Sequence, residues 1–180
     1  YSHPLRDMAD WFRQLWAESL GKKKDRAGHT ILVGPTPVKA LGVTDQHSQV
    51  QLYIEGPQDK VVTFISVGKP DHDVRIPSVK GHYLSGQSLF KLFKSEESAT
   101  RAALSKEGRP NLTLSIPSVS PESVGEMIYM FEMATAYSGE LFDINAYDQP
   151  GVEQGKVLTY ALMGREGFAS HLQSFRKFLR

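Results

Sequence analysis

Gln149 and Lys156 carry an amide and an ammonium group near the start of a predicted helix. Asp148 is the predicted N-cap of this helix, and Pro150 lies near its first position. Both side chains could point toward one anionic ligand, because the N-terminal end of a helix attracts negative charge. A capped surface helix with incidental polar residues explains the same spacing, so the residues alone leave both interpretations open.

A second pair of polar side chains, Gln14 and Glu18, shares one face of the first predicted helix because the two residues are one turn apart. Glu18 lies close to the end of that helix, just before Gly21, which is a predicted C-cap. A carboxylate there opposes the helix dipole, whose negative end favours cations, and such local costs often mark functional sites. The alternative is a solvated surface glutamate.

His47 falls in the first turn of a predicted helix from Thr44 to Glu55, with Thr44 or Asp45 as the cap. The positive end of the helix disfavours imidazolium, which leaves a neutral ring able to accept or donate a proton. A lone histidine in a helix is more often structural or exposed. A role for His47 therefore needs further support.

Three stretches that contain these residues resemble segments of glucose-6-phosphate isomerases, and they occur in the family's order. Residues 139–156, GELFDINAYDQPGVEQGK, are similar to the C-terminal signature of that family. The apolar front half of this stretch predicts the end of a buried element. The matching positions are Gly139, Leu141, Phe142, Tyr147, Asp148, Gln149, Gly151, Val152, Glu153 and Lys156. The segment WFRQLWAESLGK resembles the family segment that contains the catalytic base. The segment TDQHSQVQL resembles the family segment that contains the active-site histidine.

The resemblance implies a role for each candidate residue. Glu18 would be the catalytic base, which takes a proton from C2 of the sugar and returns it to C1 through an enediol. His47, supplied by the neighbouring subunit of a homodimer, and Lys156 would exchange protons during ring opening. Gln149 would hold the phosphate or a sugar oxygen, and Gln14 would be an ancillary contact.

The implied reaction is the interconversion of glucose 6-phosphate and fructose 6-phosphate, without cofactor or metal. Two alternatives stay open: a non-catalytic module that binds sugar phosphates in a regulator, and an oligomerisation segment with vestigial site residues. The family's phosphate loop and its arginine belong to sequence upstream of Tyr1. We therefore expect this chain by itself to be inactive, and we interpret residues 1–180 as one domain, the C-terminal part of a longer isomerase.

The elements that must position these residues alternate between helix and strand, which predicts a layered α/β architecture with a largely parallel sheet. The resemblance specifies an α/β/α sandwich of the sugar-isomerase type, here only part of the larger domain. Residues 21–30, with three successive lysines, are interpreted as a solvated basic loop. The predicted helices are His3–Leu20, Thr44–Glu55, Ser85–Lys106, Ser120–Ser138, Gly151–Met163 and Phe168–Arg180, and the predicted strands are Val61–Val67 and Leu112–Ile116.

Composition excludes several other classes of protein. The net charge of +1 gives no indication of nucleic-acid or membrane binding. The absence of cysteine excludes disulfides, thiolate metal sites and cysteine nucleophiles.

Asp71, His72 and Asp73 are residues of the types that bind metal ions, but adjacent loop residues do not converge easily on one ion. We find neither a signal peptide nor an apolar run near the roughly 20 residues of a membrane span, so we expect a cytoplasmic protein.

Overall fold

The computed structural model describes residues 1–179, apart from the side chain of Lys177. A short 3-10 helix, His3–Leu5, precedes the first α-helix, and another, Arg176–Phe178, follows the last. The α-helices are α1 (Arg6–Leu20), α2 (Gln46–Glu55), α3 (Leu89–Lys106), α4 (Pro121–Leu141), α5 (Pro150–Leu162) and α6 (Ala169–Phe175). The strands are β1 (Lys22–Lys24), β2 (Thr30–Val33), β3 (Val62–Val67) and β4 (Asn111–Ile116).

The chain divides into two compact units. Unit 1 comprises Tyr1–Arg13 and Val38–Phe131, and unit 2 comprises Gln14–Pro37 and the described residues from Glu132 onward. Unit 1 therefore contains β3, β4, α2 and α3, and unit 2 contains β1, β2, α5 and α6.

Unit 1 is built on the parallel pair β3 and β4, which run in register from Val62 opposite Asn111 to Val67 opposite Ile116. Both strands are rich in β-branched and apolar residues, as strands covered by helices require. This confirms the predicted mixed α/β class with parallel pairing. The buried core of the unit consists of Leu5, Met8, Val67, Ile116, Met127 and Phe131.

Helix α3 begins later than predicted, at Leu89 instead of Ser85. Ser88 caps it, because its hydroxyl accepts a hydrogen bond of 2.9 Å from the backbone N–H of Lys91. The hydroxyl of Ser85 instead accepts from the N–H of Val79 in the preceding loop. Two serines in one short stretch offered the same local capping signal, and the contacts of the loop decide between them.

Helices α3 and α4 are each buried along only part of their surface. The buried residues of α3 are Glu97, Thr100 and Leu104, whereas the apolar Leu89 in its first turn is exposed. Burial of Glu97 is tolerated because its carboxylate accepts a hydrogen bond of 2.7 Å from Lys94. Helix α4 buries Met127 and Phe131 but leaves Tyr129 67% exposed.

The basic stretch of unit 2 is a hairpin instead of the predicted loop. Strand β1 pairs antiparallel with β2, with Lys22 opposite Val33 and Lys24 opposite Thr30. Gly34 follows β2 with φ of +133°, and a Cβ added there would lie 2.8 Å from the Cα of Gly21. Glycine at position 34 is thus required both by backbone conformation and by close approach.

The C-terminal helices of unit 2 lie within about one residue of their predicted starts. Helix α5 extends over Pro150–Leu162, and α6 extends over Ala169–Phe175. The predicted last helix was longer and included Arg180, which lies outside the described residues. Buried Ile144 and Ala161, which are 0% and 4% exposed, belong to the apolar interior of this unit.

Candidate functional site

Glu18 is half-buried in the last turn of α1, and Gln14 is exposed one turn earlier on the same helix. The helix ends as predicted, since the N–H of Gly21 donates a 3.1 Å hydrogen bond to the carbonyl of Ala17. A Cβ at Gly21 would lie 2.9 Å from that same oxygen. The glycine therefore allows the chain to turn from the helix into β1 immediately after the candidate base.

Lys22 is the residue of this site that sequence reasoning missed. Its side chain is 4% exposed, and its ammonium group donates hydrogen bonds to three backbone carbonyls. The acceptors are Glu18 at 3.1 Å, Ser19 at 2.8 Å and Asp148 at 2.7 Å. The following Lys23 and Lys24 are exposed, as expected for a solvated run. The sequence signal for Lys22 lay in the resemblance, whose base segment includes this Gly-Lys pair.

Gln149, not Asp148, occupies the N-cap position of α5, and Pro150 is the first helical residue. The prediction of Asp148 as the cap was wrong, and that residue contacts the ammonium of Lys22 instead. Its carbonyl accepts from the ammonium of Lys22, and its carboxylate lies 3.6 Å from the same nitrogen. The exposed Gln149 begins the helix that carries Lys156 two turns later.

Lys156 is exposed on α5 and lines an open surface depression with Val152 and Tyr160. Its ammonium donates a 2.7 Å hydrogen bond to the carboxylate of Glu153, one turn earlier on the helix. This hydrogen bond, together with the charge of Glu153, raises the pKa of Lys156 above its ordinary value. The contact with Glu153 thus stabilises the charged form of the side chain.

The apolar half of the signature is only partly buried. Ile144 is fully buried, whereas Leu141, expected at the end of a buried element, is 85% exposed. Buried Gly139 makes the packing of this segment possible, because a Cβ there would lie 2.8 Å from the Cβ of Ala146. The close contact brings the end of α4 against the segment that leads into Gln149.

A second link joins the hairpin of unit 2 to the signature. Arg26 donates through both of its terminal nitrogens to the carboxylate of Glu140, and one of these bonds is 2.7 Å long. The backbone N–H of Arg26 also donates to the carbonyl of Asp143 at 2.8 Å. The hairpin that follows Glu18 thus contacts the signature through Lys22 at its start and Arg26 at its turn.

His47 belongs to unit 1 and lies exposed in the first turn of α2. Asp45 occupies the N-cap position of this helix, as one of the two predicted choices, and Gly56 follows its last residue. Every residue of α2 is at least partly exposed. The structure thus describes Glu18, Gln14, Gln149 and Lys156 in unit 2 and His47 in unit 1.

The loop with candidate metal ligands has a structural role. The carboxylate of Asp73 accepts a 3.0 Å hydrogen bond from the N–H of Phe90, in the first turn of α3. A hydrogen bond from the Ser88 hydroxyl lowers the pKa of Asp73 below its ordinary value. Across residues 1–179, no group of three or more histidine, cysteine or acidic side chains is placed to hold a metal ion. In the same range, no helix is long and apolar enough to cross a membrane.

Unit 2 therefore combines a half-buried carboxylate on α1, an ammonium on α5 and two exposed amides on the same two helices. A carboxylate can accept a proton from carbon, and an ammonium can protonate an oxygen or bind an anion. The backbone carbonyls of Glu18, on α1, and of Asp148, before α5, both accept hydrogen bonds from the buried ammonium of Lys22. This combination is suited to proton transfer on a small polar or anionic substrate.

Comparison with known proteins assigns the chain to a family. The family model described as phosphoglucose isomerase matches residues 1–176. Glucose-6-phosphate isomerase of Carboxydothermus hydrogenoformans is 51% identical over 98% of this chain and 39% of its own length. The corresponding protein of Rubrobacter xylanophilus is 47% identical over 93% of this chain and 38% of its own length. The chain thus spans about two fifths of the length of the curated relatives that it matches.

Solved structures agree with the sequence comparison. A hypothetical protein from Thermus thermophilus superposes with a TM-score of 0.84 at 47% identity, over 91% of this chain and 40% of that one. A glucose-6-phosphate isomerase from Chlamydia trachomatis superposes with a TM-score of 0.79 at 25% identity, over 100% of this chain and 37% of that one. The chain belongs to the phosphoglucose isomerase family.

Proposed function

We propose that this chain is part of a longer protein, the parent protein, which interconverts glucose 6-phosphate and fructose 6-phosphate. The single observation that carries the proposal is the family assignment over residues 1–176, which includes all five candidate site residues. The grouping of Glu18 and Lys156 in one unit, on segments joined by Lys22, supports the same reaction. The interpretation of residues 1–180 as one C-terminal domain that is inactive by itself stays a prediction.

Ring opening is the first proposed step. Lys156, an exposed ammonium on α5, donates a proton toward the ring oxygen. His47 accepts the proton of the hydroxyl at C1, so that the C1–O5 bond breaks and a carbonyl forms. We propose that His47 comes from the partner subunit of a homodimer, and its exposure on α2 supports a contact outside its own chain.

Proton transfer between carbons is the second proposed step. The carboxylate of Glu18 removes the proton from C2, the electron pair of that bond forms the C1–C2 double bond, and the carbonyl oxygen gains a proton. Glu18 then returns its proton to C1 while the C2 hydroxyl gives up its proton and becomes the carbonyl, so the proton gained at the C1 oxygen is balanced by the proton lost at the C2 oxygen. One carboxylate serves both carbons because they are adjacent. Gln149 binds the phosphate or a sugar oxygen, and Gln14 is an ancillary contact.

The first test is isomerase activity of the parent protein beside its Glu18→Gln variant. Glutamine keeps the size of the side chain but cannot accept the proton from C2. We expect kcat to fall about a thousandfold or more while the thermal unfolding temperature stays close to that of the wild type. The matched control is Asp7→Asn, which neutralises an exposed carboxylate on the same helix and should retain far more activity.

The outcome also distinguishes the proposal from its alternatives. A parent protein that binds hexose 6-phosphates but does not convert them would be a sensing module, and the catalytic roles would be wrong. A parent protein that neither binds nor converts them would favour an oligomerisation segment with vestigial site residues. A cytoplasmic location, expected from the sequence, stays part of this proposal.

A further inference from the structure

Lys22 is a buried cation with a complete set of hydrogen-bond acceptors. A lysine ammonium has three N–H donors, and here they meet the carbonyls of Glu18, Ser19 and Asp148. Burial of an unpaired ammonium is costly, so its burial requires such partners. Two of the acceptors are carbonyls at the C-terminal end of α1, where the helix dipole favours a cation. The carboxylate of Asp148, 3.6 Å away, adds the opposite charge.

The contacts of Lys22 have a geometric consequence for the two helices that carry the proposed acid and base. The carbonyl oxygens of Glu18 and Asp148 both lie within hydrogen-bond distance of one nitrogen, so they are within about 6 Å of each other. Asp148 is two residues before the start of α5, which carries Lys156. The ammonium of Lys22 therefore connects the last turn of α1, which carries Glu18, to the segment that leads into α5, which carries Lys156.

We propose that Lys22 is a positioning residue that sets the place of Glu18 relative to the start of α5, and hence to the substrate carbons. The inference rests on the proposed function, because it concerns the proton-transfer step assigned to Glu18. Transfer between C2 and C1 requires one carboxylate to reach both carbons without moving far. A displacement of about 1 Å at such a site can lower the rate by a factor on the order of a hundred.

Glucose 6-phosphate deuterated at C2 gives a readout that loss of folded protein does not change. Each turnover either delivers the deuteron from Glu18 to C1 or loses it to solvent before delivery. The fraction of product with the label at C1 is counted per product molecule, so it does not depend on how much enzyme is folded. A base that has moved away from C1 holds the deuteron longer before delivery, and the transferred fraction falls.

The test uses the full-length parent protein with Lys22→Met, which keeps most of the length of the side chain but removes the ammonium. We expect kcat to fall about a hundredfold, KM to change much less, and the transferred fraction of label to fall below that of the wild type. Lys23→Met is the matched control, because it removes the same charge from an exposed neighbour in β1. It should leave kcat and label transfer unchanged.

Lys22→Arg provides a second variant in case Lys22→Met does not fold. It keeps the buried charge, but a planar guanidinium does not reproduce the geometry of three bonds from one ammonium nitrogen. We expect a folded enzyme with kcat and label transfer between those of the wild type and those of Lys22→Met.

Three results would decide the matter. If label transfer in Lys22→Arg, and in Lys22→Met where it folds, equals that of the wild type, Lys22 only stabilises the fold and the inference is overturned. If either folded variant of Lys22 transfers less label than the wild type while Lys23→Met does not, the inference holds. If the wild-type parent shows no turnover at all, the proposed function fails, and the inference falls with it.

Discussion

Lys156 and Glu153 form an exposed contact within α5 that shifts the pKa of a proposed acid. Their hydrogen bond, together with the negative charge of Glu153, raises the pKa of Lys156 above its ordinary value. A raised pKa in the folded state means that the pair stabilises the fold below the ordinary lysine pKa. That contribution disappears as the pH rises through the raised value.

This pair gives a prediction for the pH profile of the parent protein. Glu153→Gln removes the negative partner, so the pKa of Lys156 should fall toward its ordinary value. If Lys156 must be protonated for ring opening, the alkaline limb of kcat/KM should move to lower pH. The measurement is kcat/KM between about pH 7 and 11 for the wild type and the variant.

Glu132→Gln is the control for that experiment, because it removes an exposed carboxylate from α4 in the same unit. It should leave the alkaline limb in place. An unchanged limb in Glu153→Gln would show that Lys156 is not the group whose protonation limits the reaction at high pH.

At the scale of elements, the sequence predicted what local signals determine. The apolar, β-branched sequences of β3 and β4 favour the strand conformation whichever strand they pair with. The pair Ser120-Pro121 indicates the start of α4 through local preferences at the first helical positions. The burial of Lys22 could not be predicted in this way. It depends on the pairing of β1 with β2 and on the backbone of Asp148, which is distant in sequence.

The roles of the candidate site residues stay predictions, which rest on the family resemblance. Family resemblance supplied the residue types at positions 14, 18, 47, 149 and 156. Chain geometry then placed Gln149 instead of Asp148 at the N-cap of α5. The misassigned cap has a physical reason, because the carbonyl and carboxylate of Asp148 both face the ammonium of Lys22. Non-local contacts of a polar residue override its local capping preference.

Two glycines of α4 give an element-scale prediction about packing against the signature. Gly139 is buried, and a Cβ there would overlap that of Ala146, whereas a Cβ at Gly125 would have nothing within 4 Å. Gly139→Ala in the parent protein should therefore lower the free energy of unfolding by about 1–3 kcal/mol, because a rigid methyl group forces the backbone to shift. Thermal and denaturant unfolding measure the change.

Gly125→Ala is the matched variant on the same helix. It should raise the free energy of unfolding by up to about 1 kcal/mol, because alanine has the higher helix propensity and meets no obstacle. Equal effects of the two substitutions would contradict the packing role of Gly139. Loss of activity in Gly139→Ala at a temperature where it stays folded would further connect this packing to the placement of Gln149.

At the scale of the whole molecule, the described chain separates the proposed catalytic groups by unit. Glu18 and Lys156 belong to unit 2, and His47 lies exposed in unit 1 on a helix without a fully buried residue. If His47 acts in the partner's active site, each site of the homodimer combines Glu18 from one chain with His47 from the other. Sharing of this kind makes activity depend on assembly, and it can be tested by mixing two inactive variants.

The experiment uses two parent variants, Glu18→Gln and His47→Ala, each with little activity as a homodimer. After the subunits are dissociated and reassociated together, a heterodimer contains one site with both native residues and one site with neither. Random pairing should then restore about a quarter of wild-type activity, since half of the dimers are mixed and each has one intact site. If His47 instead serves its own chain, every site lacks one group, and mixing restores nothing. Glu18→Gln carried through the same procedure alone controls for activity recovered by refolding.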